Sequence, residues 1–175
     1  MENRKQKNKI FGFTLIELLV VIAIIAVLAT IMYTRLVRPS EQAYFSRAAK
    51  EFDTMATALE FYLLDNGVWP PDANRDIPPG LEPYLAPGDW PDGPWPGSVY
   101  DWENWDDPET GDKIYQISIR FCPIGGPLAA CNFPQQEWAA DFDVQSSLYY
   151  CLQGVCRSHI SKPIDHPGYC INCGT

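Results

Sequence analysis

The dominant feature of the hydrophobic pattern is an uninterrupted apolar run near the start of the chain, from Phe13 to Tyr33. Glu17 is the only charged side chain among its 21 residues. A run of this length is sufficient to cross a bilayer core of about 30 Å as an α-helix. Residues 1–12 are polar and basic, an arrangement that keeps the amino end of a chain on the cytoplasmic side of a membrane. We therefore predict a single transmembrane helix over residues 13–33.

The helical pattern continues beyond this run and becomes amphipathic over residues 34–66. Its apolar residues recur at steps of three and four, which marks one face of a helix; they are Phe45, Ala48, Phe52, Met55, Leu59 and Tyr62. Asn66-Gly67 is a typical helix end, because glycine readily adopts the left-handed conformation required there. A helix over residues 13–65 would be about 80 Å long. Pro39 is expected to kink it, since proline removes a backbone hydrogen bond.

Residues 67–175 are predicted to form a globular domain, called the head below. Nine prolines occur from Pro70 to Pro96, with tryptophans among them. This density excludes a regular helix or a central strand. The aromatic side chains favour an ordered loop that packs on a sheet, with one short helical turn within residues 77–85.

Three segments of the head show the period of two that is typical of β-strands. The strongest is residues 113–121, whose apolar face comprises Tyr115, Ile117, Ile119 and Phe121. In residues 98–104, Tyr100 and Trp102 share a face. Residues 146–152 form the third, which is expected to turn back as a hairpin after Gln153-Gly154. The sequence therefore predicts an α+β protein: one long N-terminal helix packed on a small antiparallel β-sheet.

Charge is unevenly distributed and limits the classes of function. The net charge is −9 and residues 1–12 contribute +3, which leaves −12 on the remainder (−9 − 3 = −12). So acidic a domain repels phosphate backbones, and nucleic acid is not a favoured partner. The chain has no phosphate-binding glycine loop, no nucleophile elbow and no zinc-protease helix. We expect that it is not an enzyme.

All six cysteines lie beyond position 121; they are Cys122, Cys131, Cys151, Cys156, Cys170 and Cys173. An even number confined to the part beyond the apolar run predicts disulfides in an oxidising compartment. A bridge between Cys151 and Cys156 would close the expected hairpin. The alternative is a zinc site, because two of the cysteine spacings suit thiolate ligands. The nearby His159 and His166 are expected to be exposed polar surface.

One turn of the head concentrates carboxylates; they are Asp106, Asp107, Glu109 and Asp112. Several oxygen ligands on a flexible loop are what calcium requires. The spacing is not that of an EF-hand loop, and an acidic turn without a metal explains it equally well. Apart from the zinc alternative at the cysteines, calcium is the only cofactor for which the sequence offers a candidate site.

The junction between the polar leader and the apolar run does not fit an ordinary signal peptide. A signal peptide has an apolar stretch of about 7–15 residues followed by a small-residue cleavage site. Here the only such marker, Gly12, precedes the apolar run. A carboxylate inside an apolar run is costly and usually has a partner or a function. The alternative for Glu17 is simple proximity to the membrane edge.

Residues 12–20, Gly-Phe-Thr-Leu-Ile-Glu-Leu-Leu-Val, resemble the processing motif of type IV prepilins and type II secretion pseudopilins. The resemblance implies cleavage after Gly12 by a prepilin peptidase and N-methylation of Phe13. It assigns Glu17 to assembly, and the Phe13 amine of a neighbouring subunit is a suitable partner for its carboxylate because a paired charge costs less than a lone one in low dielectric. Major pseudopilins bind calcium in their heads, which favours the acidic turn as a site.

These observations predict a structural subunit of a pilus-like filament, with a pseudopilin of a type II protein secretion system as the leading interpretation. Its partners would be further copies of itself, the prepilin peptidase, membrane lipid and an inner-membrane assembly platform. The subunit would cross the inner (cytoplasmic) membrane once with its head outside the cytoplasm, and the filament would be periplasmic or extracellular. The alternatives are a surface type IV pilin that serves adhesion, twitching motility or DNA uptake, and a plain membrane-anchored extracellular binding domain.

Overall fold

The computed structural model describes residues 14–85, 90–166 and 168–173, and their side chains except those of residues 30–40. Its elements in chain order are helix α1 (Leu15–Asn66) and strands β1 (Val99–Asp106), β2 (Lys113–Arg120), β3 (Ser147–Gln153) and β4 (Tyr169–Cys170). Short 3-10 turns lie at Glu82–Tyr84, Leu128–Ala130 and Glu137–Ala139. The chain divides into two compact units, residues 1–40 and 41–175. The predicted α+β class is confirmed.

In the first unit, the described side chains of α1 are exposed all around the helix. The large apolar side chains between Leu15 and Leu28 are 45 to 77 % exposed. Among the described residues, no helix combines the length and the hydropathy that crossing a membrane requires. The predicted span over residues 13–33 extends beyond what is described, and the side chain of Pro39, the predicted kink, lies outside it.

In the second unit, one face of α1 is buried in the hydrophobic core. The buried positions at steps of three and four are Ala48, Phe52, Met55 and Leu59, as predicted. The Phe52 ring packs edge-on against Tyr100, with 5.3 Å between ring centroids, and stacks on Tyr150 at 5.6 Å. The helix ends at Asn66, where Gly67 adopts a φ of +73°. The helix–sheet packing and the helix end are thus confirmed.

The sheet follows the order β1-β2-β3-β4. The first three strands are antiparallel, and the two-residue β4 runs parallel to β3. Tyr100 lies opposite Ile119 and Trp102 lies opposite Ile117, and all four are fully buried on the face that packs on α1. The apolar face predicted from the period of two is therefore confirmed.

The proline-rich segment protects the outer edge of β1. Asp92 forms an isolated bridge to Val99, and the Asn104 backbone N–H donates to Asp72 Oδ1 at 2.9 Å. Trp95 from the same segment is buried in the core. The described part of the segment is the ordered, packed loop that the sequence predicts, and it blocks pairing of an exposed strand edge with other chains.

The hairpin predicted after β3 is wrong. Gly154 turns the chain at a φ of +89°. Arg157 then lies against the outer face of the sheet, where its backbone carbonyl accepts the Gln116 amide N–H at 2.6 Å and its backbone N–H donates to Gln116 Oε1 at 3.0 Å. There the Ser147 backbone N–H donates to Ser158 Oγ at 2.8 Å, and the Ser147 hydroxyl donates to the Ser158 carbonyl at 2.6 Å. Side-chain hydrogen bonds of this kind take the place of the backbone ladder that a hairpin requires.

Candidate functional site

Helix α1 begins with reciprocal hydrogen bonds between Thr14 and Glu17. The Glu17 backbone N–H lies 3.3 Å from Thr14 Oγ1, which accepts it. The Thr14 backbone N–H and hydroxyl donate to Glu17 Oε2 at 2.8 and 2.7 Å. This is a capping box, in which two side chains satisfy backbone N–H groups that the first helical turn leaves without partners. The spacing Thr-x-x-Glu is the sequence signal that predicts it.

The capping box places the Glu17 carboxylate at the start of the exposed apolar part of α1. Gly12 and Phe13, the predicted processing site, lie just before the described residues. A carboxylate has two oxygens and several lone pairs, so Glu17 can cap its own helix and still accept a further donor. Its pairing with the Phe13 amine of a neighbouring subunit stays a prediction.

The outer face of the sheet holds a buried network of charged side chains. Arg120 on β2 donates from Nε to Asp101 at 3.0 Å and from Nη2 to Glu103 at 2.6 Å, and all three are less than 10 % exposed. The Ser118 hydroxyl and the Gln116 amide also donate to Glu103, at 2.5 and 2.6 Å. Burial raises the pKa of Glu103, although the charge of Arg120 opposes this. Strand alternation places these residues on one face, but it does not reveal that the face is covered.

The four carboxylates predicted as calcium ligands have other partners. Asp107 is fully buried, and its Oδ1 accepts the backbone N–H groups of Glu109 and Thr110 at 2.7 and 3.1 Å. Its Oδ2 lies 2.5 Å from Arg157 Nη2. Burial alone would raise the pKa of Asp107, but these N–H groups and the guanidinium outweigh burial and lower it.

The remaining carboxylates of the turn do not converge on a common point. Asp106 pairs with the exposed Lys113 at 3.0 Å, and Glu109 lies 3.2 Å from Arg157. Asp112 contributes its backbone carbonyl, which accepts the Asp107 N–H at 2.8 Å. In the described part of the chain no three His, Cys, Asp or Glu residues are grouped to hold a metal ion. The turn in this arrangement fits a structural role better than a calcium site, and calcium binding stays a prediction.

All six cysteines are paired in disulfides. The pairs are Cys122–Cys131, Cys151–Cys156 and Cys170–Cys173. The expectation of disulfides is confirmed, including the bridge between Cys151 and Cys156, which closes a turn and not a hairpin. The zinc alternative has no support, because no free thiol remains to become a thiolate ligand.

The two histidines differ from the expectation of exposed surface, because both are half-buried. Burial, and then the positive charge of Arg120, lower the pKa of His159 to about 4. Burial also lowers the pKa of His166. His159 therefore carries a neutral ring near pH 7, at the edge of the Asp101–Arg120 network.

Comparison with known proteins points to the same N-terminal region. Residues 7–33 match the prokaryotic N-terminal methylation motif. The chain is 36 % identical over 66 residues to type II secretion system core protein G of Vibrio cholerae, over 38 % of this chain and 45 % of that protein. It is 29 % identical over 105 residues to the protein of the same description from Klebsiella michiganensis, over 54 % of this chain and 72 % of that one. It is 38 % identical over 61 residues to type IV major pilin protein PilE of Neisseria gonorrhoeae, over 35 % and 36 % of the two chains.

The resemblance stated from residues 12–20 is confirmed by these comparisons. The chain spans less than half the length of the Vibrio cholerae relative that it matches. The matched motif and the names of these relatives describe N-terminal methylation, secretion and pilus proteins, and none of the three relatives is named as an enzyme. No solved structure matches the chain at a significant level.

Proposed function

We propose that this chain, which carries the N-terminal motif shared by type IV prepilins and type II secretion pseudopilins, is a structural subunit of a pilus-like filament. The match of residues 7–33 to the methylation motif carries the proposal. The exposed apolar start of α1, which lies within the matched residues, supports it. In this function the subunit is cut between Gly12 and Phe13 by a prepilin peptidase, and Phe13 is N-methylated.

The exposure of α1 explains why the subunit needs two environments. A helix that is apolar on all sides is stable only inside a membrane or among other apolar surfaces. Before assembly, the first unit lies in the inner membrane as a single pass with the head outside the cytoplasm. In the filament, the same surface is covered by the helices of neighbouring subunits. The loss of lipid contacts is thus offset by contacts between copies.

Glu17 has two roles in this proposal. Within its own chain it completes the capping box with Thr14. Between chains it accepts the new positive amine of a neighbouring Phe13, which cleavage after Gly12 creates. An ion pair in a low-dielectric surrounding is far less costly than two separate charges, so this pairing sets the register between adjacent helices.

A pseudopilin of a type II secretion system is the leading form of this function. Two of the relatives described above are named type II secretion system core protein G, and the longer similarity, over 105 residues, is to one of them. A surface type IV pilin is the second candidate, because the chain is 38 % identical over 61 residues to the pilin PilE. The partners of a pseudopilin are further copies of the subunit, the assembly platform and the secreted cargo.

Deletion of the gene separates the two candidates. The first predicts that specific proteins disappear from the culture medium while surface fibres are unchanged, as seen by mass spectrometry and electron microscopy. A surface type IV pilin predicts that fibres disappear while secretion continues, and this result would overturn the proposal of a type II secretion pseudopilin. Complementation with Glu17→Ala is expected to fail although the protein is cut after Gly12. Complementation with Glu60→Ala, which removes an exposed carboxylate elsewhere on α1, is expected to succeed.

A further inference from the structure

The outer face of the sheet contains a polar pocket that the filament function does not use. It has a volume of about 250 Å³ and opens above the Asp101–Arg120 pair. Its polar lining includes Asn74, Arg75, Gln145 and His159, and Val144 is part of its apolar wall. The pocket is large enough for one side chain or one sugar ring, but not for a folded segment.

The lining of the pocket holds two guanidiniums and one carboxylate; the residues are Arg75, Arg120 and Asp101. Arg120 is paired with Asp101 and also with Glu103, which lies outside the lining, so the Arg75 guanidinium is the cation of the pocket that forms no ion pair among the described residues. The Asp101 carboxylate is already occupied, because Oδ1 accepts the Arg75 backbone N–H at 2.8 Å and Oδ2 accepts Arg120 Nε at 3.0 Å. Both oxygens of this carboxylate therefore already have donors, and neither donor is the Arg75 guanidinium.

Arg75 is held at the pocket by an unusual backbone conformation. Its φ of +58° is the only positive value for a non-glycine residue among those described. Side chains with a Cβ disfavour this region, and such strained residues are concentrated at functional sites. Within the described residues, its guanidinium makes one hydrogen bond, from Nη1 to the Cys122 carbonyl at 2.7 Å. The other N–H donors of its fork make no hydrogen bond to any of those described residues.

The neighbouring polar groups are donors as well. His159 Nδ1 lies 3.1 Å from the Ser161 backbone N and 2.9 Å from the Ser161 hydroxyl oxygen. With Nδ1 as the acceptor of the backbone N–H, the proton of the neutral ring is assigned to Nε2. The Gln145 side-chain oxygen accepts the Ser161 hydroxyl at 2.8 Å, which leaves its amide N–H groups as donors. The positive charge of Arg120 helps to lower the pKa of His159, after burial, and likewise that of Arg75. Both effects agree with a positive potential in the pocket.

We propose that this pocket binds a carboxylate group, held by the Arg75 guanidinium with the His159 Nε2–H and the Gln145 amide as further donors. A guanidinium binds a carboxylate with two parallel hydrogen bonds, which gives both direction and affinity. The carboxylate belongs either to an acidic side chain of another protein or to a small free acid such as a uronic sugar. The site is independent of the filament function, and each can fail without the other.

Calorimetric titration of the full chain in detergent micelles tests the proposal. The probes are N-acetyl-glutamate methylamide, which represents an acidic side chain, and galacturonate, with N-acetyl-glutamine methylamide and galactose as neutral counterparts. At least one acid is expected to bind about tenfold or more tightly than its neutral counterpart, and salt is expected to weaken its binding. The acid that binds identifies the source of the carboxylate. If neither acid binds, or if the neutral counterparts bind equally well, the proposal is wrong.

Two variants connect binding to the pocket. Arg75→Asn removes the guanidinium but keeps a residue that tolerates a positive φ. It is expected to lower the affinity for the acid at least about tenfold. Val144→Trp fills the pocket without a change of charge and is expected to weaken binding similarly. Lys50→Gln, at an exposed position of α1, is the charge-matched control and is expected to leave affinity within about twofold. Unchanged binding in both pocket variants would overturn the proposal.

A spectroscopic measurement on His159 provides a separate check. A bound carboxylate favours the protonated ring, so the pKa of His159 followed by NMR is expected to rise when the acid saturates the protein. The Lys50→Gln control is expected to show the same rise. A pKa of His159 that does not move on saturation would place the acid elsewhere and contradict the proposed site.

Discussion

The Arg157 guanidinium lies 2.5 Å from the Asp107 carboxylate, and both side chains are essentially inaccessible to solvent. This pair joins the segment after β3 to the turn between β1 and β2. A buried ion pair contributes little net stability compared with an apolar pair, but removal of one partner leaves a charge without compensation. The pair therefore determines where the C-terminal segment can lie.

Replacement of Arg157 is expected to destabilise the head strongly. Arg157→Met retains much of the volume but leaves Asp107 buried without its cation, at a cost of about 3–5 kcal/mol in the free energy of unfolding. Lys113→Met breaks the exposed pair with Asp106 and is the matched control, with an expected cost of about 1 kcal/mol or less. Urea unfolding of the full chain in micelles measures both. Equal effects of the two variants would contradict a special role for Arg157.

The pH dependence of the free energy of unfolding is expected to show the contribution of the ionised Asp107 carboxylate. Since its pKa is lowered in the folded protein, its contribution is present above the unfolded pKa of about 4 and is lost as the pH falls through the folded value. Asp107→Asn is therefore expected to be less stable than the parent chain at pH 7, and the difference is expected to shrink in acid. A difference that stays constant from pH 7 to about pH 2 would show that the carboxylate charge is not responsible.

Substitution of Gly154 is expected to destabilise the protein more than substitution of Gly111, a glycine that also has a positive φ. A Cβ at Gly154 would lie 2.3 Å from the Lys113 carbonyl oxygen, whereas a Cβ at Gly111 meets nothing within 4 Å. Both residues have a positive φ, so the backbone cost of alanine is common to both. Gly154→Ala is expected to cost about 1–3 kcal/mol more than Gly111→Ala in thermal unfolding. Similar costs would indicate that the chain after β3 follows another path.

The two roles of Glu17 can be separated by conservative variants. Glu17→Gln keeps an acceptor for the capping box, because glutamine also occurs at this position of capping boxes. It lacks the negative charge that would pair with an amine. It is expected to preserve slow hydrogen exchange at the start of α1 and to abolish filament assembly. Thr14→Ala is expected to speed exchange there, since loss of such a cap costs about 1 kcal/mol. Normal assembly of Glu17→Gln would contradict the proposed ion pair between subunits, and helix capping would then be the one role left for Glu17.

The features that the sequence predicted correctly arise from local periodicity. The buried face of α1, with Phe52 and Met55, and the sheet face with Tyr100 and Trp102 follow from periods of about 3.6 and 2. The capping box was not predicted, although the spacing of Thr14 and Glu17 carries its signal. The path of residues 156–158 could not be predicted, because it depends on contacts between residues far apart in the chain, such as the one from Arg157 to Asp107. The pocket beside Arg75 depends on the same long-range arrangement.

The mass of the intact mature protein, isolated from the membranes of the cells that produce it, tests the central claim most directly. The account predicts a chain that begins at Phe13, carries one added methyl group and lacks the six hydrogen atoms that three disulfides remove. Fragmentation would place the methyl group on the Phe13 amine. A chain that retains residues 1–12, or one that is cut after the apolar run, would contradict the assignment of this protein to a pilus-like filament.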